Sequence, residues 1–146
     1  MTENNVLINN SEIFLLSNSI LDKLKKLAQN HPYKRARFCL HESLDNKVHE
    51  MIIVAHRDGV MEPHRHPSSK PESYHVIEGK LKVLIFNKDG SEKETFVLSH
   101  DSHPKMYRIQ GGVWHQPIPL TEWVVYHEVA TGPFIKEKDV IFLRDQ

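Results

Sequence analysis

The chain reads as mainly β, a sandwich or barrel of short strands with one short N-terminal helix. Three observations predict this. Only one segment, S-N-S-I-L-D-K-L-K-K-L-A-Q-N, carries a helical period. Beyond Pro32 the apolar residues alternate in short runs rich in Val, Ile, Tyr and Phe. Turn residues separate those runs, as in Asn87-Lys88-Asp89-Gly90 and Glu78-Gly79. Many short strands at such spacing pack as two layers or close into a barrel. We expect an arm and helix over residues 1–32 and a β-barrel domain over 33–146.

In the helix, Ile20, Leu21, Leu24, Leu27 and Ala28 form one apolar stripe, and Lys23, Lys25 and Lys26 take the wet face. Ser19 with Asp22 three residues later resembles a capping box. Asn30-His31-Pro32 ends the helix, because the residue before proline avoids the α region. The predicted strands then follow at 34–41, 48–56, 72–77, 81–86, 95–98, 105–109 and 123–129, with a last one at 140–143. In the first, Arg35, Arg37, Cys39 and His41 share one face and Ala36, Phe38 and Leu40 the other.

Composition excludes several functions. The chain has 146 residues, 39% hydrophobic and 26% charged, the balance of one globular domain. Lys plus Arg equals Asp plus Glu at 19 each, without the basic excess of a nucleic-acid binder. No apolar run approaches the roughly 20 residues of a membrane-spanning helix. The start, M-T-E-N-N-V, lacks a basic segment followed by an apolar one, and the single Cys39 cannot form an internal disulfide. These features predict a cytoplasmic protein. Histidine is over-represented, with 11 copies.

The chemistry concentrates in residues 59–79, G-V-M-E-P-H-R-H-P-S-S-K-P-E-S-Y-H-V-I-E-G. Alternate residues of a strand face one side, so His64 and His66 can aim both imidazoles at one point. Metal–nitrogen bonds of about 2.0–2.1 Å allow such a pair to share one ion. Glu72 can add an oxygen from the neighbouring strand, with His75 as the alternative. A fourth ligand must come from a distant strand, and Gly111-Gly112-Val113-Trp114-His115 offers one. Such a donor set suits one divalent transition metal ion, Zn, Fe, Mn, Ni, Co or Cu, and affinity order alone does not choose among them.

These residues also carry a family resemblance. His64-x-His66, Glu72 and Gly79 look like the first motif of the cupin superfamily, and Gly112-x-x-His115 like the core of the second. The stretches R-A-R-F-C-L-H, H-E-M-I-I-V-A-H-R, P-H-R-H-P, E-S-Y-H-V-I-E-G, Y-R-I-Q-G-G-V-W-H and H-E-V-A-T-G-P-F resemble cupin-fold metalloproteins of the WbuC type, in order, over most of residues 35–134. The resemblance implies a double-stranded β-helix, or jelly-roll barrel, with His64, His66, Glu72 and His115 as metal ligands. It also implies a link to O-antigen or surface-polysaccharide biosynthesis.

Other residues are candidates for substrate handling. If their face lines the barrel, Arg35 and Arg37 can hold a phosphate or carboxylate bidentately; otherwise they lie in solvent or at a subunit contact. Tyr74 shares parity with Glu72 and either moves a proton or packs. Glu50 is a second catalytic candidate, able to line the pocket or to brace a ligand histidine. His127 and Glu128 face opposite ways, so at most one points inward; His127, His75 and Trp114 are the remaining candidates for contacting substrate. Cys39 reads as a small apolar filler. Two function classes follow. The first is a metal-dependent enzyme, isomerase- or epimerase-like, acting on a sugar or nucleotide-sugar metabolite, or a dioxygenase if the metal is iron. The second is a non-catalytic module whose metal anchors a carbohydrate-like or anionic small molecule. The apolar arm V-L-I-N-N-S-E-I-F-L-L predicts a homodimer.

Overall fold

The computed structural model describes residues 4–146. Two sheets face each other. The larger runs in the order β1 (Val6–Ile8), β2 (Arg35–Cys39), β3 (Val48–His56), β10 (Trp123–Thr131), β5 (Glu72–Glu78) and β8 (Met106–Ile109). The smaller runs β11 (Ile141–Phe142), β4 (His64–Arg65), β9 (Trp114–Pro119), β6 (Lys80–Phe86) and β7 (Glu92–Ser99). The one parallel pair among them is β1 on β2. Helix α1 (Asn18–Gln29) lies on the large sheet, and α2 (Lys136–Asp139) is a single turn near the C-terminus. The expected fold class is therefore the observed one.

Side-chain alternation gives each strand two faces with different neighbours. Cys39, Met51, Ile53, Tyr74, Val76, Val124 and Tyr126 of the large sheet meet Leu81, Val83, Ile85 and Leu98 of the small one, and this is the barrel interior. The opposite face of the large sheet packs Ala36, Ile52, Val54 and Val125 under Leu24 and Ala28 of α1. The helix covers only part of that face. Val48 and Met106 remain 60% and 51% exposed beyond it.

The structure differs from the sequence expectations in local ways. The helix cap is Ser17, whose Oγ accepts from Ile20 N at 3.3 Å, rather than Ser19. Strands β9 and β4 are invoked for the histidines without bounds, and the structure supplies them. Strand β9 holds Pro117 and Pro119, which read against a strand, yet it lies between β4 and β6. Strand β4 is two residues long and is held by β9 on one side and β11 on the other. The arm residues Val6–Ile8 pair with their own chain's β2.

Candidate metal centre

The small sheet brings the histidines together. His64 on β4 pairs across the ladder with His115 on β9, and His115 faces the interior beside Ile85. His66 follows two residues after His64 and so shares its side. The ring centroids stand 5.2 Å (His64–His66), 4.5 Å (His64–His115) and 5.6 Å (His66–His115) apart. One nitrogen from each of the three lies within 4.8 Å of the others, close enough to hold a metal ion. Glu72 opens β5 on the facing sheet and is only 3% exposed. Its carboxylate oxygens lie 2.8 Å from His115 Nε2 and 3.1 Å from His66 Nε2.

Proton positions follow from the partners. Each Nδ1 meets a backbone carbonyl: Glu62 O for His64 at 2.8 Å, Asp139 O for His66 at 2.7 Å and Val113 O for His115 at 2.9 Å. A carbonyl only accepts, so each Nδ1 carries the hydrogen and, in the neutral ring, each Nε2 carries a lone pair. His66 Nε2, His115 Nε2 and Glu72 Oε1 are buried and make no hydrogen bond with proper geometry, despite the short separations. Buried ring nitrogens and a carboxylate this close need a cation among them, either a proton or a metal ion. Burial, with the neighbouring His115 and His66, pushes His64 down to about 3, so it stays neutral. Burial alone would raise Glu72, but His115 and His66 outweigh it and keep the carboxylate ionised. Burial would lower His66, but Glu72 and the Asp139 carbonyl raise it, so a proton shared with Glu72 competes with a divalent transition metal for these three imidazoles and the carboxylate.

The two glycines before His115 have a steric purpose. A Cβ on Gly111 would collide with the Pro67 carbonyl, so only glycine lets the loop after His66 lie this close. Gly112 has φ +84 and its N–H donates to His66 O at 2.7 Å. The loop and the His115 strand are thereby locked together.

Around the cluster, the inner face supplies further polar groups. Tyr74 is 2% exposed and packs on Tyr107 and Tyr126 at 5.1 and 4.9 Å. Burial, with Glu128 and Glu72 nearby, raises its phenol well above the usual range. Arg35 and Arg37 take the inward register opposite Ala55 and Ile53. Arg35 is half-buried with Nη1 unpartnered, beside a cavity of about 10 Å³ shared with Tyr126 and Leu81. Arg37 is exposed, at the rim.

Four candidates stand elsewhere. Glu50 and His127 face outward and pair with each other at 2.7 Å. His75 is exposed on the same outer face, opposite His127. It cannot replace Glu72, because it has the opposite parity on β5. Trp114 turns away from His115 and lies under the Arg65 guanidinium, 4.9 Å from the ring centroid. Sequence reasoning named His127 and not Glu128, and the structure reverses this, burying Glu128 at 8% exposure on the inner face in register with Tyr74. Burial and the adjacent Glu72 push its carboxyl up from the usual carboxylate range. The signal available was its shared parity with Val124 and Tyr126, once those two are known to be core.

A larger concavity, about 340 Å³, lies at the end of the large sheet, with Ser73, Arg108, Val129 and Thr131 among its walls.

Comparison with known proteins agrees with this architecture. A family model described as "Domain of unknown function (DUF6016)" matches residues 16–98. No curated protein sequence matches the chain. Among solved structures, the capsular polysaccharide assembling protein CapF from Staphylococcus aureus is similar at TM-score 0.61 and 18% identity, over 73% of this chain and 29% of that one. The oxalate decarboxylase of Bacillus subtilis, described with Mn(II) centres, is similar at TM-score 0.53 and 18% identity, over 67% and 24%. An oxalate oxidase in complex with the substrate analogue glycolate is similar at TM-score 0.55 and 19% identity, over 77% and 57%. In each case the chain spans less than two thirds of the other protein's length. These likenesses establish the cupin fold.

Proposed function

The chain belongs to the family described as a domain of unknown function (DUF6016), and from that premise we propose a metal-dependent enzyme acting on a small anionic sugar or nucleotide-sugar metabolite. The observation that carries this reading is the convergence of His66 Nε2, His115 Nε2 and Glu72 Oε1, buried and without hydrogen bonds, beside His64. His64, His66, His115 and Glu72 would hold the ion. Bound there, a divalent metal supplies Lewis-acid polarisation of a carbonyl or hydroxyl oxygen.

The chain's own residues account for the rest. The carbonyls of Glu62, Val113 and Asp139 keep every ligand ring in the tautomer a metal requires. In this reading Arg35, whose Nη1 is unpartnered, and Arg37, in the same inward register, would hold a phosphate or carboxylate. Glu128, whose carboxyl burial and Glu72 push up, would donate a proton to a substrate oxygen, with Tyr74 in register beside it. Isomerisation balances if the Glu128 carboxylate left by that donation takes the proton from the carbon beside the polarised carbonyl and returns it to the neighbouring carbon. A role in surface-polysaccharide synthesis is supported by the sequence resemblance and by the fold shared with CapF.

A second reading has its own support. The cavity beside Arg35 is only about 10 Å³ and none of the four ligand residues lines it, so it offers no sugar-sized chamber. A module that anchors a ligand on the metal without turning it over needs no such chamber.

The test is turnover. Protein loaded with Mn, Fe, Co, Ni or Zn is offered nucleotide sugars and sugar phosphates, and products are read by mass spectrometry. The enzyme reading expects an isomeric product that His64→Ala abolishes. Calorimetric binding with no product under any metal would replace it with the second reading. A homodimer is also proposed, on the strength of Ile13 and Leu15, both 76% exposed, and the uncovered end of the large sheet. Light scattering should give twice the chain mass at micromolar concentration.

A further inference from the structure

The three histidines are not oriented alike. His64 and His115 each donate Nδ1–H to a carbonyl two residues back, at Glu62 and Val113. Those bonds are local and come with the strand. His66 instead donates to Asp139 O, 73 residues away along the chain. It is also more open than its neighbour, with a side chain 18% exposed against 1% for His115. The ring with the least local support thus depends on the C-terminal segment.

That segment is built to stay in place. Asp139 is 5% exposed, and its Oδ2 accepts from Lys70 Nζ at 2.8 Å and from Ile135 N at 2.6 Å. Lys70 also donates to the Pro133 carbonyl. Lys70 stands in the loop between His66 and Glu72, so the anchor rises from between two of the ligands. Just beyond, β11 pairs Ile141 with Arg65 and Phe142 with His64, and Leu143 N donates to Pro63 O at 3.0 Å. The two-residue strand carrying His64 therefore has this tail as its outer neighbour.

We propose that residues 133–143 form a strap that completes the metal centre, with Lys70 and Asp139 as positioning residues that fix the orientation of His66. This rests on the metal reading above. The Asp139 carboxylate binds no ion in this scheme. It fastens the turn whose carbonyl holds the His66 tautomer and ring plane. Partners of this kind typically change metal affinity by about 10–100-fold.

The experiment titrates cobalt(II) into metal-free protein and follows the d–d absorption bands, with affinity from competition against a chelator. Four proteins are compared: wild type, Lys70→Met, Lys70→Arg and Lys25→Met. The last breaks the Lys25–Glu78 pair, 2.9 Å against 2.8 Å for Lys70–Asp139, on the helix side of the fold. It controls for the general loss of an ion pair. Circular dichroism confirms that each variant is folded. We expect Lys70→Met to bind about 10-fold or more weakly, with altered band shape at saturation, Lys70→Arg to recover most of the affinity, and Lys25→Met to match wild type. Wild-type binding with an unchanged Lys70→Met would overturn the strap and leave the metal reading standing. No cobalt binding by wild type would overturn both.

Discussion

His127 and Glu128 are neighbours on β10, yet they meet different worlds. Glu128 points inward, is 8% exposed, and sits in register with Tyr74. His127 points outward and pairs with Glu50, both side chains partly in water. The same contrast holds on β5, where Glu72 and Tyr74 are buried and Ser73 and His75 are not. One sheet thus has a polar, enclosed face aimed at the histidine cluster and an open face only partly covered by α1. Identical side-chain chemistry has different consequences on the two sides, because desolvation strengthens electrostatics only on the inner one.

The largest effect should come from packing on adjacent residues. Tyr126 is 1% exposed and stacks on Tyr74 at 4.9 Å. Tyr126→Ala should cost about 3–5 kcal/mol, the usual range for truncating a buried aromatic. His127→Ala, one residue on, should cost less than about 1 kcal/mol. Urea unfolding of both variants measures the difference. Equal losses would show that the outer face is as well buried as the inner one.

The next prediction separates the two candidates for the oxygen or nitrogen ligand on β5. Glu72→Gln keeps the shape but removes the negative charge, and should weaken metal binding by more than about 100-fold, beyond the range for residues that only support a ligand. His75→Ala should leave it unchanged, because His75 faces the other way. Metal content after dialysis, by elemental analysis, reads both.

This contrast also shows what could be read without coordinates. Alternation on β3 and β5 was legible, and the bounds of β3 match the prediction. That His64, His66, Glu72 and His115 converge was legible, because two motifs name residue types that share one chemistry. Which face of a strand is interior was less legible. On β10 both faces hold apolar residues, Val124 and Tyr126 inside and Val125 under the helix. Period alone therefore could not decide between His127 and Glu128. Strands β4 and β9 were invoked only through the metal motifs, because β4 is two residues long and prolines break the pattern of β9. The support that Asp139 gives His66 left no local trace, since the two stand 73 residues apart.

A cysteine probe sharpens the comparison at smaller cost. Burial raises the Cys39 thiol, Arg37 opposes this, and Glu128 adds to the rise. A raised pKa means less thiolate at pH 8, so Cys39 should react more slowly with a thiol reagent than a free cysteine, and faster as pH increases. Denaturant should remove the protection. Ser73→Cys in a Cys39→Ala background places the thiol on the outer face of β5 and should react rapidly in the folded protein. Rapid native reaction of Cys39 would count against a closed interior.

The smallest effect concerns the Glu50–His127 pair itself. At 2.7 Å its geometry is good, but the side chains are 42% and 28% exposed, and water screens such pairs. A double-mutant cycle with Glu50→Gln and His127→Ala should give a coupling below about 1 kcal/mol, reduced further in 1 M salt. A coupling above about 2 kcal/mol, insensitive to salt, would mean the pair is desolvated in solution. Since α1 does not reach that end of the sheet, the cover would have to come from another molecule. Repeating the cycle across a range of protein concentrations then distinguishes the cases, because only a pair buried by a second copy of the chain loses its coupling on dilution.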